Sequence, residues 1–143
     1  MGVQRWTKAR KRAVETWVDA ALPVLGLAGW CVELDFDTPV VAHPDEEVVA
    51  DIRHAPNSRH AYLRFGLQFL ALSAADATQA LTHELIHAHL FALQDTVAEL
   101  LVLLTTPDRA SVAHVALLAQ VELSVDALAD AVQPLLPFLD LHA

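Results

Sequence analysis

The sequence predicts an α+β fold in which strands come before most of the helices. Three short stretches between residues 30 and 67 alternate polar and apolar residues, and three helical stretches follow them. Strands and helices that are grouped along a chain, rather than alternating, favour α+β over α/β. The chain has 143 residues, of which 55% are hydrophobic, so it is long enough for a substantial core. We therefore expect a single domain over residues 1–143.

The first predicted element is an amphipathic helix over residues 4–22, in which Trp6 and Trp17 are expected to pack against the core. It carries five of the nine basic residues, namely Arg5, Lys8, Arg10, Lys11 and Arg12. All 18 acidic residues come after Arg12, and two of them, Glu15 and Asp19, lie in the second half of this helix. We expect the basic face to be solvated near this acidic remainder, so nucleic acid is not an expected partner.

Strands are predicted over residues 30–36, 48–54 and 59–67, with a loop rich in proline and acidic residues between the first two. In the third strand Ala61, Leu63 and Phe65 share one face, because side chains alternate along a strand. Tyr62 lies on the other face, where we expect it to pack rather than to act on a substrate.

The first helix after the strands contains the most informative motif, His-Glu-Leu-Ile-His at residues 83–87. Ser73 and Asp76 form a predicted capping box at its start, and neither proline nor glycine follows before residue 93. The helix is therefore predicted over residues 73–93. Residues four apart lie on one helix face, so His83 and His87 can bind the same ion.

This motif predicts zinc-assisted hydrolysis. Zinc is well served by two imidazoles, one carboxylate and an open position for water, whose pKa the ion lowers. Glu84 lies next to the first histidine, where it can reach that water and act as general base. His89 points about 200° away from His87 around the helix and is not expected to join the ion.

A zinc site needs a third protein ligand, and Glu122 is the best candidate. It lies on a long helix that is predicted to begin with Thr106 as N-cap and Pro107 at the first position, and to end before Pro134. Glu99, in a short connecting helix predicted over residues 95–104, is the rival third ligand. His114 is expected to be a surface residue of the long helix.

Two features exclude other classes of protein. No stretch of 18 apolar residues is present, and residues 20–32, the longest apolar run, contain proline and glycine, so no membrane segment is expected. Cys31 is the only cysteine, which excludes an intrachain disulfide. With no apparent signal peptide, a cytoplasmic location is expected.

The motif at residues 83–87, combined with Glu-x-x-x-Asp at residues 122–126, resembles the gluzincin branch of the zincin superfamily of zinc metallopeptidases. The resemblance covers residues 60–130, and the small size is similar to minigluzincins and phage-encoded metallopeptidase-like proteins. It implies that Glu122 is the third zinc ligand and that Asp126 bonds the outer ring nitrogen of His83. It also implies that the strand before the motif helix, residues 59–67, is a sheet edge that pairs with extended substrate.

The expected function is therefore that of a small zinc metallopeptidase acting on a peptide or protein substrate. Two alternatives stay open. The chain can be a catalytically inactive zinc-binding domain with a structural or interaction role, as in phage proteins, or a protein-binding module in which the motif is accidental. Metal content distinguishes the accidental motif from the two zinc-binding hypotheses. Peptide hydrolysis with and without chelator then distinguishes the metallopeptidase from the inactive zinc-binding domain.

Overall fold

The structure, a computed structural model, describes residues 4–38, 40 and 48–142. Its helices and strands are α1 (Lys8–Val24), β1 (Cys31–Asp35), β2 (Ala50–His54), β3 (His60–Phe65), α2 (Ala74–His87), α3 (Phe91–Leu104) and α4 (Pro107–Val132). Short 3-10 turns follow β3 and α4. The predicted α+β fold is confirmed. Most of the predicted loop between β1 and β2 lies outside the described residues.

Helix α1 begins later than predicted because Thr7 caps it. The Thr7 side chain accepts a hydrogen bond from the Arg10 N–H at 3.2 Å, which satisfies one of the free donors of the first turn. Trp6 therefore precedes the helix and packs against a cluster of phenylalanine rings. Trp17 is buried and donates its indole N–H to the Pro137 carbonyl at 2.7 Å. Both tryptophans pack against the core, as predicted.

The sheet is mixed and has the strand order β1-β3-β2, with β3 parallel to β1 and antiparallel to β2. The prediction that residues 59–67 form the substrate-pairing edge is therefore wrong, because β3 is the central strand. The physical reason is its continuous apolar face: Ala61, Leu63 and Phe65 are all buried. The edge next to α2 is β2, whose Asp51 and Arg53 suit a strand that is paired on one side.

The outer edge of β2 is defined by its hydrogen-bond pattern. Backbone bonds to β3 are made at Val49 and Ala55, which flank the ladder. Bonded pairs alternate in an antiparallel ladder, so the N–H and C=O groups of Ala50, Ile52 and His54 point away from β3. The N–H of Ile52 agrees with this direction, since it donates a hydrogen bond to the Glu84 side chain of α2.

The predicted helix over residues 73–93 is split in two. The capping box is present: the Ser73 hydroxyl accepts from the Asp76 N–H at 3.1 Å and donates to the Asp76 carboxylate at 2.7 Å. Helix α2 nevertheless ends at His87, and the next three amides bond the carbonyls three residues back, which tightens the turn. The His89 ring bonds the Leu25 carbonyl at 2.6 Å and holds this break. Helix α3 then begins at Phe91, bent by 48° from α2.

Helix α4 packs along one narrow seam, where its buried residues are Val121, Val125 and Ala129. Large apolar side chains are exposed elsewhere on α3 and α4: Leu93, Leu100, Val102, Leu103, Leu104, Val112, Val115, Leu118, Leu123 and Leu128. The helical residues Pro107–Leu135 are long and apolar enough to cross a membrane. Helices α2 and α3 reach that length and hydropathy only when they are taken together as one bent pair. One such helix is weak evidence for a span, and 17% of its apolar window is buried within the structure.

Candidate metal centre

Two helices that are distant in sequence bring the predicted ligands together. Helix α2 presents His83 and His87 one turn apart, and α4 presents Glu122 opposite them. The Nε2 atoms of the two histidines lie 3.2 Å apart. Each Nε2 atom is 3.3 Å from an oxygen of the Glu122 carboxylate. Of the residues that the structure describes, these three form the group that can hold a metal ion.

The spacing of these atoms fits a tetrahedral ion. With ligand bonds of about 2.0–2.1 Å, two ligands of a tetrahedral zinc lie about 3.3 Å from each other. The 3.2 Å between the two Nε2 atoms matches that value, and the carboxylate of Glu122 places one oxygen 3.3 Å from each of them. Two imidazoles and one carboxylate are also the donor set that leaves one position open in catalytic zinc sites. The group can therefore hold a metal ion without moving either helix.

A carboxylate on α4 fixes the orientation of the His83 ring. The Asp126 Oδ1 atom lies 2.9 Å from His83 Nδ1. If Nδ1 carries the proton and donates it to Asp126, the Nε2 lone pair faces Glu122 and His87. This is the tautomer that a metal ligand requires, and carboxylates commonly hold it in metal sites. The contact that the gluzincin resemblance implies is present, while its effect on metal affinity stays a prediction.

His87 is the more enclosed of the two histidines, with 12% of its side chain exposed. Burial lowers the pKa of His87, because removing water disfavours the charged ring; the negative charge of Glu122 opposes this effect. This shift favours the neutral form of the ring, which is the form that binds metals.

Glu84 lies beside the ligands in an environment that favours its protonated form. Burial, together with the negative charges of Asp51 and Glu122, raises the pKa of Glu84 to about 8 from its ordinary 4.5. A hydrogen bond from the Ile52 backbone N–H opposes this shift. A carboxyl with a pKa near neutral is well matched to taking up a proton and returning it. A cation on the adjacent ligands would favour the charged carboxylate.

The other candidates from the sequence lie outside this group. Glu99 is exposed on α3 and is absent from the set of atoms that can hold an ion. His89 faces away from His87 and bonds the Leu25 carbonyl. His114 is half-buried on α4 and is likewise not part of the group. The geometry thus favours Glu122 over Glu99 as the third ligand.

The ligands line an open cleft of about 310 Å³, called the metal cleft below. It is also lined by four residues that the sequence analysis did not single out: Asp51, Ile52, Phe91 and Gln94. Asp51 is held by Arg64, whose guanidinium donates two hydrogen bonds to it at 2.9 and 2.6 Å. Phe91 and Gln94 reach the cleft because the chain turns after α2, and no sequence signal marked that turn.

Comparison of the chain with protein-family models, with curated proteins and with solved structures gives no match. The likeness to gluzincins therefore depends on the residues of the motif and on their arrangement in space.

Proposed function

We propose that this protein is a small zinc-dependent peptidase. The observation that carries the proposal is the meeting of three ligand side chains, two from α2 and one from α4, with Glu84 beside them. The Nε2 atoms of His83 and His87 lie 3.2 Å apart, and each is 3.3 Å from a different oxygen of Glu122. Zinc is the metal that this donor set and its tetrahedral spacing suit best. His83, His87 and Glu122 would hold the ion.

Each residue of the centre then has a chemical role. A zinc ion bound there supplies a Lewis acid that lowers the pKa of water and polarises a carbonyl. Glu84 takes a proton from the attacking water and passes it to the leaving amine. Asp126 keeps His83 in the tautomer that binds metal.

The outer edge of β2 offers a place for a peptide. Its backbone groups at Ile52 and His54 point away from β3, with the Ile52 N–H bonded to Glu84, and Ile52 itself lines the metal cleft. A peptide in an extended conformation can add to such an edge as a further strand. This would place its backbone beside the metal ligands, which supports a peptide over a small-molecule substrate.

The first test is metal content, followed by hydrolysis. The purified protein is expected to bind one zinc per chain and to cleave peptides of a mixed-sequence library, and a chelator should abolish cleavage. Glu84→Gln should keep the zinc and lose the cleavage, because Glu84 is assigned no bond to the ion. Loss of zinc in this variant would make Glu84 a ligand, and undiminished cleavage would remove it as the base.

A second candidate, a zinc-binding domain without catalysis, is favoured by the limited burial of α4. Because α4 is buried only along Val121, Val125 and Ala129, an ion shared with α2 would hold the two helices together. In that case zinc should raise the melting temperature, while wild type and Glu84→Gln should both leave every peptide uncut.

A further inference from the structure

A second hollow lies at the end of β2, next to the metal cleft. Its volume is about 420 Å³, and three aromatic side chains form its walls: Trp30, His54 and Phe91. We call it the aromatic hollow. Phe91 also lines the metal cleft, so the two spaces share one wall. Arg59 and Asp95 are among its polar lining residues.

The walls of the aromatic hollow are held in place by contacts. The His54 ring stacks on Phe91 with centroids 4.0 Å apart and an interplanar angle of 10°. The His54 Nε2 atom lies 2.8 Å from the Asp95 carboxylate, and both side chains are largely buried. Trp30 also contacts Phe91, with ring centroids 6.1 Å apart. Ordered walls of this kind lose little freedom when a ligand binds.

The position of His54 links the hollow to a peptide on β2. His54 is two residues beyond Ile52, so both side chains lie on the same face of the sheet, and Ile52 lines the metal cleft. Residues directly opposite each other on neighbouring strands place their side chains on the same face. A peptide residue that pairs with His54 would therefore direct its side chain into the aromatic hollow.

We infer that the aromatic hollow binds an aromatic side chain of the peptide substrate. Three aromatic walls favour a ring, since aromatic pairs gain more than their buried area alone provides. The Arg59 guanidinium at the hollow disfavours lysine and arginine, and the Asp95 carboxylate is already bonded to His54. This inference rests on the proposed peptidase function, which it extends to a preference among substrates.

The test uses three peptides and the zinc-loaded Glu84→Gln protein, so that binding is measured without cleavage. The peptides are acetylated, amidated octapeptides of alanine and serine with a central Phe, Ala or Lys. Calorimetry should give about tenfold tighter binding for the Phe peptide than for the other two. In the wild-type protein, cleavage should fall at a fixed distance from the Phe residue.

Filling the hollow should abolish this preference. Ala92 lines the hollow and is exposed, so Ala92→Trp fills the space without removing a core residue. Ala119→Trp adds the same ring to an exposed position of α4 and is the matched control. Trp30→Ala, which removes one wall, is a second way to reduce the preference. Zinc content and circular dichroism verify that each variant is folded.

The outcomes separate this inference from the proposed function. Equal affinity for the three peptides, no binding of any of them, or a Phe preference that Ala92→Trp leaves unchanged overturns the inference. Cleavage without a Phe preference supports the peptidase proposal and contradicts the inference that the aromatic hollow binds an aromatic side chain. A third outcome is Phe-selective binding that Ala92→Trp abolishes, together with a wild-type protein that cleaves no peptide. This outcome supports the binding role of the aromatic hollow and rejects the peptidase proposal.

Discussion

Helices α2 and α4 both supply metal ligands, but they are held in the fold in different ways. Helix α2 has 14 residues, and six of them are buried on the side that packs against the sheet and the other helices. Helix α4 has 26 residues, and three of them are buried. The two histidines thus come from a helix that the core fixes, whereas Glu122 comes from one that is attached along a seam.

This difference indicates how the metal centre depends on the fold. The spacing of His83 and His87 is a property of one buried helix and needs no other contact. The position of Glu122 depends on the docking of α4, whose buried residues are Val121, Val125 and Ala129. We therefore expect metal affinity and the docking of α4 to be thermodynamically linked, because an ion bound by both helices stabilises the docked arrangement.

The largest expected effects are on zinc binding, and they test whether both helices are needed. His83→Ala and His87→Ala should each abolish zinc binding. Glu122→Ala should weaken zinc binding by more than about 100-fold, which exceeds the usual effect of removing a residue that only hydrogen-bonds a metal ligand. Elemental analysis and competition with a chromogenic chelator measure this. Glu99→Ala is the matched control. If Glu99→Ala removes the zinc while Glu122→Ala does not, α3 and not α4 supplies the third ligand.

The second expected effect compares one substitution on the two helices. Leu85→Ala, at a fully buried position of α2, should lower the free energy of unfolding by about 2–5 kcal/mol. Leu123→Ala, at an exposed position of α4, should change it by about 0.5 kcal/mol or less. Urea unfolding monitored by circular dichroism measures both. A large cost for Leu123→Ala would mean that the outer face of α4 is covered in solution.

The third expected effect is the pH dependence of the metal-free protein. Because burial raises the pKa of Glu84 to about 8, the folded state holds this proton more tightly than the unfolded chain does. The contribution of Glu84 to stability is therefore fully present below about pH 4.5 and is lost as the pH rises through about 8. Relative to Glu84→Gln, wild type should lose up to a few kcal/mol between pH 5 and 8.5.

Melting temperatures of both proteins in excess chelator, taken across this pH range, provide the measurement. Every other ionisable group is present in both proteins, so the difference isolates the contribution of Glu84. A difference between wild type and Glu84→Gln that stays constant from pH 5 to 8.5 would show that the Glu84 site is open to water.

The smallest expected effect concerns the partner of His83. Asp126→Ala removes the carboxylate at 2.9 Å from Nδ1 and should weaken zinc binding by about 10- to 100-fold without unfolding the protein. Asp130→Ala, one turn further along α4, is a suitable control because its recorded contact is a hydrogen bond from Gln79. Equal zinc affinities for the two variants would leave Asp126 as an ordinary surface residue of α4.

Local signals predicted most of the helices and one half of the site. The capping box at Ser73 and the alternation around Leu63 depend on neighbours in the chain, and the structure has both. Thr106 also stands at the predicted N-cap position of α4, although its side chain makes no capping hydrogen bond. The spacing of His83 and His87 is local for the same reason. The break after His87 was missed because its apolar periodicity continues into α3, and the cause, a bond to Leu25, is far away in sequence.

Features that are built from segments far apart in the chain could not be predicted from the sequence. The strand order places β3 in the centre, although the resemblance had made it an edge, because pairing partners are chosen by the packing of whole faces. The aromatic hollow joins Trp30, His54 and Phe91 from three separate segments of the chain, and no periodicity connects them. Glu122 was predicted because a known pattern indicated it, whereas Asp51 and Gln94, which lack such a pattern, were not.

The mixed sheet also has a consequence for the order of folding. The β2–β3 hairpin pairs His54 with Ala61 across a short turn, whereas β1 pairs Cys31 with His60 and must wait for the whole intervening chain. Closing a longer loop costs more entropy, so non-local parallel pairs form late. We therefore expect β1 to join the sheet after the β2–β3 hairpin has formed. Amide protons of β1 should accordingly gain protection later than those of β3 in a pulsed hydrogen-exchange experiment.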